Sequence, residues 1–273
     1  MPELTCAESA ASLLAAALAR FEIVDLSTDV TLHEDGPFAT RLDVLDPEPG
    51  ARFLVERVVP HLAPEAVGRI DCSDLPDRAF LRHEMITLST HAGSHIDAPG
   101  HYGPGVRGEE AINDAAPDLF IRPAVCFDAV RCSCDRVRWD DLPNVGRFDS
   151  LSGIIVLIRT GPAKALSVNL IDRLLDMGTR VIGVDAASLD GPFEQNIRAF
   201  VETHDRAALW PCHMLGRRRP FYQIENLTNL DRLPPEGFFV WAPPIRVRGA
   251  TASWSRVIAL VPADANGGSP CLS

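Results

Sequence analysis

Long hydrophobic runs, an excess of basic charge and a phosphate-binding P-loop motif are all missing from the 273-residue sequence. No stretch approaches the roughly 18 to 20 consecutive apolar residues that a membrane-spanning helix requires, so we expect no membrane partner. The formal net charge of −11 disfavours binding to nucleic acid or to an anionic membrane, because both are negatively charged. A small molecule is therefore the expected partner.

The apolar segment SAASLLAAALARF, residues 9–21, has no basic residue ahead of Arg20. A secretory signal peptide carries positive charge before its apolar region, so we predict a short amphipathic helix here. The seven scattered cysteines do not resemble a disulfide framework and suit a reducing compartment. Cys132 and Cys134 form a C-x-C, but no second cysteine pair at zinc-site spacing accompanies it. These features predict a cytoplasmic protein.

Secondary-structure patterns indicate an α/β protein in which strands dominate. Apolar spacing predicts helices near the N-terminus, over 167–178 with Ser167 as cap, over 52–59 before Pro60, and over 195–204. Apolar, β-branched runs bounded by turn residues predict strands at residues 22–26, 85–90, 124–130, 153–159, 180–185, 238–242 and 256–261. Without a regular strand-helix alternation, this order favours a mixed, barrel-like sheet with peripheral helices. We predict one domain over residues 1–273.

The densest chemical pattern is HAGSHIDAPGH, residues 91–101, which contains three of the eight histidines. If the strand at 85–90 continues, His91, His95 and Asp97 project from one face, because side chains alternate along a strand. Two imidazoles and a carboxylate suit zinc, manganese or iron(II) and leave coordination positions open for water and substrate. Gly93 would give room between these ligands.

Pro99 and Gly100 are a turn signal, so His101 is expected to leave this face and to approach from another direction. We therefore predict that His101 is the catalytic base beside the metal. A lone histidine is more often a surface or core residue than a ligand. Three histidines and an aspartate at this spacing favour the metal site.

The motif closely resembles the H-x-G-T-H-x-D-x-P-x-H signature of the cyclase family, which includes bacterial kynurenine formamidase, isatin hydrolase and aromatic polyketide cyclases. Ser94 stands for the usual threonine and keeps a hydroxyl. Segments at 21–27, 157–161, 181–190 and 210–230 resemble further family blocks in the same order. The resemblance covers nearly the whole chain, and it implies a swivelling β/β/α-type fold and a homodimer or higher homo-oligomer.

The resemblance also implies that His213 and Glu225 complete the metal site, with zinc favoured over manganese and with one or two ions bound. From the residues alone, each would equally suit a surface position. Trp210, Phe221 and Tyr222 are candidate walls of a pocket for an aromatic or polyketide-like substrate, although aromatic side chains more often belong to the core.

A divalent ion with open coordination polarises a carbonyl and lowers the pKa of bound water to about 7. In cyclisation, His101 would remove a proton from carbon for an aldol-type ring closure. In hydrolysis of an amide, formamide or lactone, His101 would pass a proton from water to the leaving group. A third alternative is a metal-binding or ligand-binding homologue without catalysis, which the presence of His101 disfavours.

The segment at about 34–84 is longer than we associate with compact formamidases. Insertions beside an active site commonly reshape a pocket, so we predict that this one does. Together with the arginine-rich composition, it favours ring closure of a polyketide-like intermediate in secondary metabolism. Arylformamidase-like hydrolysis is the alternative.

Overall fold

The computed structural model describes residues 6–32, 38–103 and 111–263 of the chain. Two compact units are found, one within Met1–Val30 and Thr90–Ser273 and the other within Thr31–Ser89. The first residues of the predicted inserted segment, 34–37, lie outside the described residues. The pocket-shaping role of that segment stays a prediction.

Short strands outnumber helices among the described residues. The α-helices are α1 (Cys6–Leu18), α2 (Pro47–Phe53), α3 (Val59–Leu62), α4 (Val168–Asp176), α5 (Phe193–Thr203) and α6 (Pro211–Gly216). The strands are β1 (Phe21–Asp25), β2 (Arg41–Leu45), β3 (His83–Thr87), β4 (His95–Asp97), β5 (Ile121–Asp128), β6 (Arg136–Val137), β7 (Ile155–Arg159), β8 (Ala165–Leu166), β9 (Val181–Val184), β10 (Tyr222–Glu225), β11 (Phe238–Trp241), β12 (Ala252–Trp254) and β13 (Ile258–Pro262).

One curled sheet of nine strands forms the body of the first unit, in the order β1-β13-β11-β5-β7-β9-β10-β4-β12. Neighbours from β5 through β7 and β9 to β10 run parallel. The pairs toward both edges are antiparallel. The predicted fold class, a mixed α/β protein with a barrel-like sheet, is confirmed.

Hydrophobic cores lie on both faces of this sheet, and alternate residues of one strand enter different cores. On β5, Val125 and Phe127 belong to the core that includes α4, whereas Ala124 and Cys126 belong to the core that includes β1 and β13. Strand β9 is buried at every position. Burial on both faces explains why the central strands are continuous apolar runs and do not alternate.

Helix α4 confirms the helix predicted over 167–178. The Ser167 hydroxyl accepts a hydrogen bond from the Leu170 N–H, which satisfies a free donor of the first turn. Leu170, Ile171 and Leu174 are buried, as the helical spacing predicts. Among the described residues, no helix is both long enough and apolar enough to cross a membrane.

The second unit contains β2 and β3, paired antiparallel, and a helical run that passes through a proline. The prediction that this helix ends at Pro60 is wrong. A π-helical turn, Leu54–Val58, joins α2 to α3, and the Val59 N–H bonds to the Leu54 carbonyl. Pro60 lies inside this run as the second residue of α3, directly after the π turn, and the run continues past it although proline has no N–H to donate.

Candidate metal centre

The motif HAGSHIDAPGH is a turn followed by a short strand. Strand β3 already ends at Thr87, and only His95–Asp97 are extended, as β4. Gly93 has a φ of +63°, a left-handed conformation that favours glycine. A Cβ at Gly93 would lie 2.9 Å from Cγ2 of Val30. The predicted continuous strand through His91 is therefore wrong, and Gly93 serves the turn and this close approach.

Strand register places Glu225 beside His95. The two residues are directly opposite in the antiparallel pair of β4 and β10, so their side chains lie on one face. Nε2 of His95 is 3.4 Å from Oε2 of Glu225. Nδ1 of His95 is 3.0 Å from the Gly93 carbonyl oxygen, which directs Nε2 toward the carboxylates. The Glu225 Oε1 accepts a hydrogen bond from the Leu189 N–H.

Four imidazoles surround the carboxylate of Asp97. Its Oδ1 is 3.0 Å from Nδ1 of His91 and 3.5 Å from Nε2 of His95. Its Oδ2 is 3.7 Å from Nε2 of His101 and 3.7 Å from Nε2 of His213. The Asp97 side chain is 1% exposed, whereas those of His91 and His101 are 33% and 30% exposed. The cluster therefore extends from the interior to the solvent.

The innermost polar atoms of this cluster have charged neighbours but no directed hydrogen bonds from the protein residues that the structure describes. Among the described residues, none makes a well-directed hydrogen bond to Nε2 of His95 or to either carboxylate oxygen of Asp97, and all three atoms are buried. A buried charge that lacks directed hydrogen bonds is costly. Imidazole nitrogen and carboxylate oxygen are typical ligands of zinc, manganese and iron. The residues therefore fit a divalent metal ion.

Two sets of donors can hold such an ion, and both use Asp97. The inner set consists of His95, Asp97 and Glu225, and the outer set of His91, Asp97 and His101. Within each set the donor atoms lie within 4.8 Å of one another. Ligands bound at about 2.1 Å around one zinc ion are themselves roughly 3 to 3.5 Å apart, so both sets are close to such an arrangement.

Helix α6, which the sequence patterns did not predict, delivers His213 to the cluster. Asp190 accepts hydrogen bonds from the backbone N–H groups of Cys212 and His213, at 2.7 and 3.1 Å. Its Oδ2 is also 2.7 Å from Nδ1 of His213, which turns Nε2 toward Asp97. The Asp190 carboxylate thus caps α6 and orients the imidazole.

Burial and charge act in opposite directions on the titrating groups. Burial lowers the pKa of His95, but Glu225 and Asp97 outweigh it and raise that pKa to about 9. Burial likewise lowers the pKa of His213, but Asp190 and Asp97 raise it to about 10. Burial raises the pKa of the Asp97 carboxyl, but the surrounding imidazoles hold it well below its ordinary value.

For His101, unlike His95 and His213, burial outweighs the nearby negative charge. Burial lowers its pKa, Asp97 opposes this effect, and the imidazoles of His91 and His213 add to it. The pKa of His101 is therefore below its ordinary value. A neutral imidazole with a free nitrogen can accept a proton near pH 7.

A pocket of about 220 Å³ opens beside His101 and His213. It is also lined by Phe193, Trp210, Met214 and Arg217, among others. Trp210 has φ 48° and ψ 55°, a left-handed conformation that is strained for a bulky residue and that occurs at functional sites. Its ring meets that of Phe193 edge to face, with centroids 5.6 Å apart. Of the three aromatic residues predicted as pocket walls, Trp210 lines this pocket.

The structure places the other two predicted wall residues, Phe221 and Tyr222, in the cores. Both are fully buried. Phe221 stacks on Tyr102 and Tyr222 contacts Phe120 edge to face. They lie at the start of β10, between β9 and β4, where both faces of the sheet are covered, and they do not line this pocket.

The C-x-C lies in a separate loop, where Cys132 and Cys134 form a disulfide. The cysteine pattern did not predict this pairing. Lys164 closes the same loop by donating hydrogen bonds to the carbonyl oxygens of Ala129, Val130 and Cys132. The disulfide occupies both sulfur atoms that a metal would need.

The fold and the donor cluster together define a metal-dependent enzyme. Residues 24–191, more than half of the chain, match the family described as "Putative cyclase", and the chain belongs to this family. It is 27% identical over 203 residues to a kynurenine formamidase of Paracidovorax citrulli, covering 70% of this chain and 86% of that relative. It is 24% identical over 225 residues to an isatin hydrolase of Roseibium aggregatum, covering 68% and 77%.

The fold is also found in a solved structure. Isatin hydrolase A from Ralstonia solanacearum superposes with a TM-score of 0.66 and 20% sequence identity, covering 96% of this chain and 99% of that one. The expected family and the expected class, a metal-dependent cyclase or hydrolase, are confirmed.

Proposed function

We propose that the protein is a metal-dependent hydrolase that cleaves the C–N bond of an aromatic formamide, amide or lactam. The observation that carries this proposal is the buried Asp97 carboxylate, which receives no well-directed hydrogen bond from the described residues and lies among imidazoles beside a pocket with aromatic walls. The named relatives, a formamidase and an isatin hydrolase, favour hydrolysis over the polyketide ring closure that the sequence patterns placed first.

His95, Asp97 and Glu225 would hold the ion, with His91 and His213 completing the donors around Asp97. When bound there, a divalent ion supplies Lewis acidity toward a carbonyl and toward water. Zinc is the first choice for this mixture of imidazole and carboxylate, and manganese is the second.

His101 moves the proton in this mechanism. Nε2 of His101 faces Asp97, and its lowered pKa keeps the imidazole neutral. It accepts a proton from the attacking water and returns that proton to the leaving nitrogen as the C–N bond breaks. Water and a formamide thereby give formate and an amine. Phe193 and Trp210 hold the aromatic ring in place during this transfer.

The decisive test combines metal removal with one variant. Protein purified without chelator is expected to contain divalent metal and to hydrolyse N-formylkynurenine or isatin. Dialysis against a chelator should abolish turnover, and zinc or manganese should restore it. His101→Gln should lower kcat by about 10²- to 10⁴-fold. The ion held by His95, Asp97 and Glu225, a set that does not include His101, should remain bound in this variant when elemental analysis measures it.

His61→Gln is the matched control, because His61 is an exposed histidine of the second unit. It should leave both metal content and kcat unchanged. Full activity of the chelated protein would overturn the proposal, as would an undiminished kcat of His101→Gln.

A further inference from the structure

Arg217 lies at the mouth of the pocket, against the turn that follows His101. It is exposed and directly follows α6, and it lines the same pocket as His101 and His213. Its Nε–H donates a hydrogen bond to the Tyr102 carbonyl oxygen. A Cβ on Gly103 would lie 2.7 Å from Nη2 of Arg217. The guanidinium is thus placed by backbone contacts on one side.

Within the described ranges, the rest of this guanidinium has no acidic partner. Among the residues that the structure describes, no carboxylate lies within ion-pair distance of Arg217. Arg219, two positions along, instead bridges Asp172 at 2.6 Å and Asp176 at 2.8 Å. Because Nε of Arg217 is occupied by Tyr102, the two Nη groups form the available fork, which matches the two oxygens of a carboxylate.

The positive charge of Arg217 affects which substrates can approach the pocket. The chain carries a net charge of −11, and such a field opposes the approach of an anion. An accessible arginine at the mouth of the pocket is a local exception to that field. It would be of little use to a neutral substrate, but it would offset the repulsion felt by an acidic one.

The size and the walls of the pocket restrict the remainder of the ligand. The volume of about 220 Å³ is below the roughly 300 to 1,000 Å³ of sites for drug-sized molecules, so a single ring with small substituents fits it. The edge-to-face pair of Phe193 and Trp210 offers aromatic contacts to such a ring.

We propose that Arg217 is a specificity-determining residue that binds a carboxylate on the substrate, so that the preferred substrate is a single-ring aromatic formamide or amide that bears an acidic group. This inference rests on the proposed hydrolytic function. Arg217 binds the carboxylate end, Phe193 and Trp210 contact the ring, and the carbonyl to be cleaved is directed toward His101.

The test uses two probes of similar size, one negatively charged and one neutral. They are 2-formamidobenzoate, which carries a carboxylate, and its neutral methyl ester. The unmodified enzyme should prefer the acid in kcat/KM by at least about 10-fold. Arg217→Gln should lower kcat/KM for the acid by about 10- to 100-fold, the range of a lost charged hydrogen bond, mainly through KM. The same variant should change the ester by less than about 2-fold.

Two further variants distinguish binding by the fork from a general effect of charge. Arg217→Lys keeps the charge but loses the planar fork, so it should recover only part of the preference. Arg218→Gln removes the neighbouring exposed arginine, which does not line the pocket, and it should behave as the unmodified enzyme. The ester reaction also reports whether each variant is folded.

Failure of this inference can be separated from failure of the hydrolytic function. An equal loss for acid and ester in Arg217→Gln, or no loss for the acid, overturns the role of Arg217. If the unmodified protein cleaves neither probe, the fluorescence of 2-aminobenzoate measures binding instead. An affinity at least about 10-fold weaker in Arg217→Gln, with no change for methyl 2-aminobenzoate, then supports the inference. Equal affinities overturn it.

Discussion

Strand β4 and the segment after β9 both carry aspartates that are shielded from solvent, and the surroundings of these aspartates are opposite. Asp97 on β4 is fully buried and, among the described residues, receives no well-directed hydrogen bond. Asp190, also buried, accepts from two backbone N–H groups and lies 2.7 Å from Nδ1 of His213. Asp185, which is half-buried, accepts from Thr160 and Gly161.

The difference distinguishes a carboxylate that is available to a ligand from carboxylates whose hydrogen bonds are already made within the protein. Asp190 and Asp185 are already satisfied by the chain, so their charge is used to cap α6 and to join the ends of β7 and β9. Asp97 receives no such hydrogen bonds from the described residues, so a bound cation would stabilise its buried charge. Substitution of each aspartate by asparagine tests this comparison.

Asp97→Asn should have the largest effect. Both donor sets use Asp97, so the variant should lose metal and lower kcat/KM by on the order of 10³-fold or more. Elemental analysis and steady-state kinetics measure the two losses. Asp118→Asn, an exposed aspartate paired with Arg122, is the control and should keep both. Retention of metal and activity by Asp97→Asn would remove the basis of the comparison.

Asp190→Asn should have an intermediate effect, divided between activity and stability. An amide cannot accept all three hydrogen bonds, so His213 should lose its orientation and kcat/KM should fall by about 10- to 100-fold. The free energy of unfolding should fall by about 1 to 3 kcal/mol, because buried donors lose their acceptor. Urea denaturation and kinetics measure the two effects. A loss of stability alone would show that Asp190 does not act through His213.

Asp185→Asn should have the smallest effect, on stability alone. Its carboxylate accepts from the Thr160 N–H and hydroxyl at 2.7 and 2.8 Å, contacts that lie outside both donor sets. The free energy of unfolding should fall by about 0.5 to 1.5 kcal/mol, and kcat/KM should stay within about 2-fold once the protein is folded. Urea denaturation provides the measurement, and a specific loss of metal in this variant would contradict the distinction.

Local patterns predicted the parts of the fold that depend on local physics. The apolar runs of β7 and β9 and the capped helix α4 were all expected, because burial and helical spacing are visible within a few residues. The short strands β10 and β12 were not predicted, and β4 was predicted only as the end of a longer strand through His91. They have three or four residues each and are strands only because they pair with one another and with β9.

The candidate site was likewise predicted in part from local sequence patterns. Histidine and aspartate density in the motif predicted metal chemistry, and the family resemblance pointed to His213 and Glu225, whose roles as ligands stay predictions. Local spacing predicted a strand through His91, but Gly93 forms a turn there. The contact of Asp190 with α6 spans 22 residues, so no local pattern contains it.

The sequence by itself determined which donor atoms this protein has and that imidazole and carboxylate occur at a spacing suited to a divalent metal. Only the tertiary structure decided which carboxylate remains available. Asp97 and Asp190 are chemically identical, but backbone N–H groups of α6 satisfy Asp190, whereas Asp97 receives no well-directed hydrogen bond from the described residues. Hydrogen bonds depend on short distances that folding alone creates, so a role of this kind cannot be assigned from residue type.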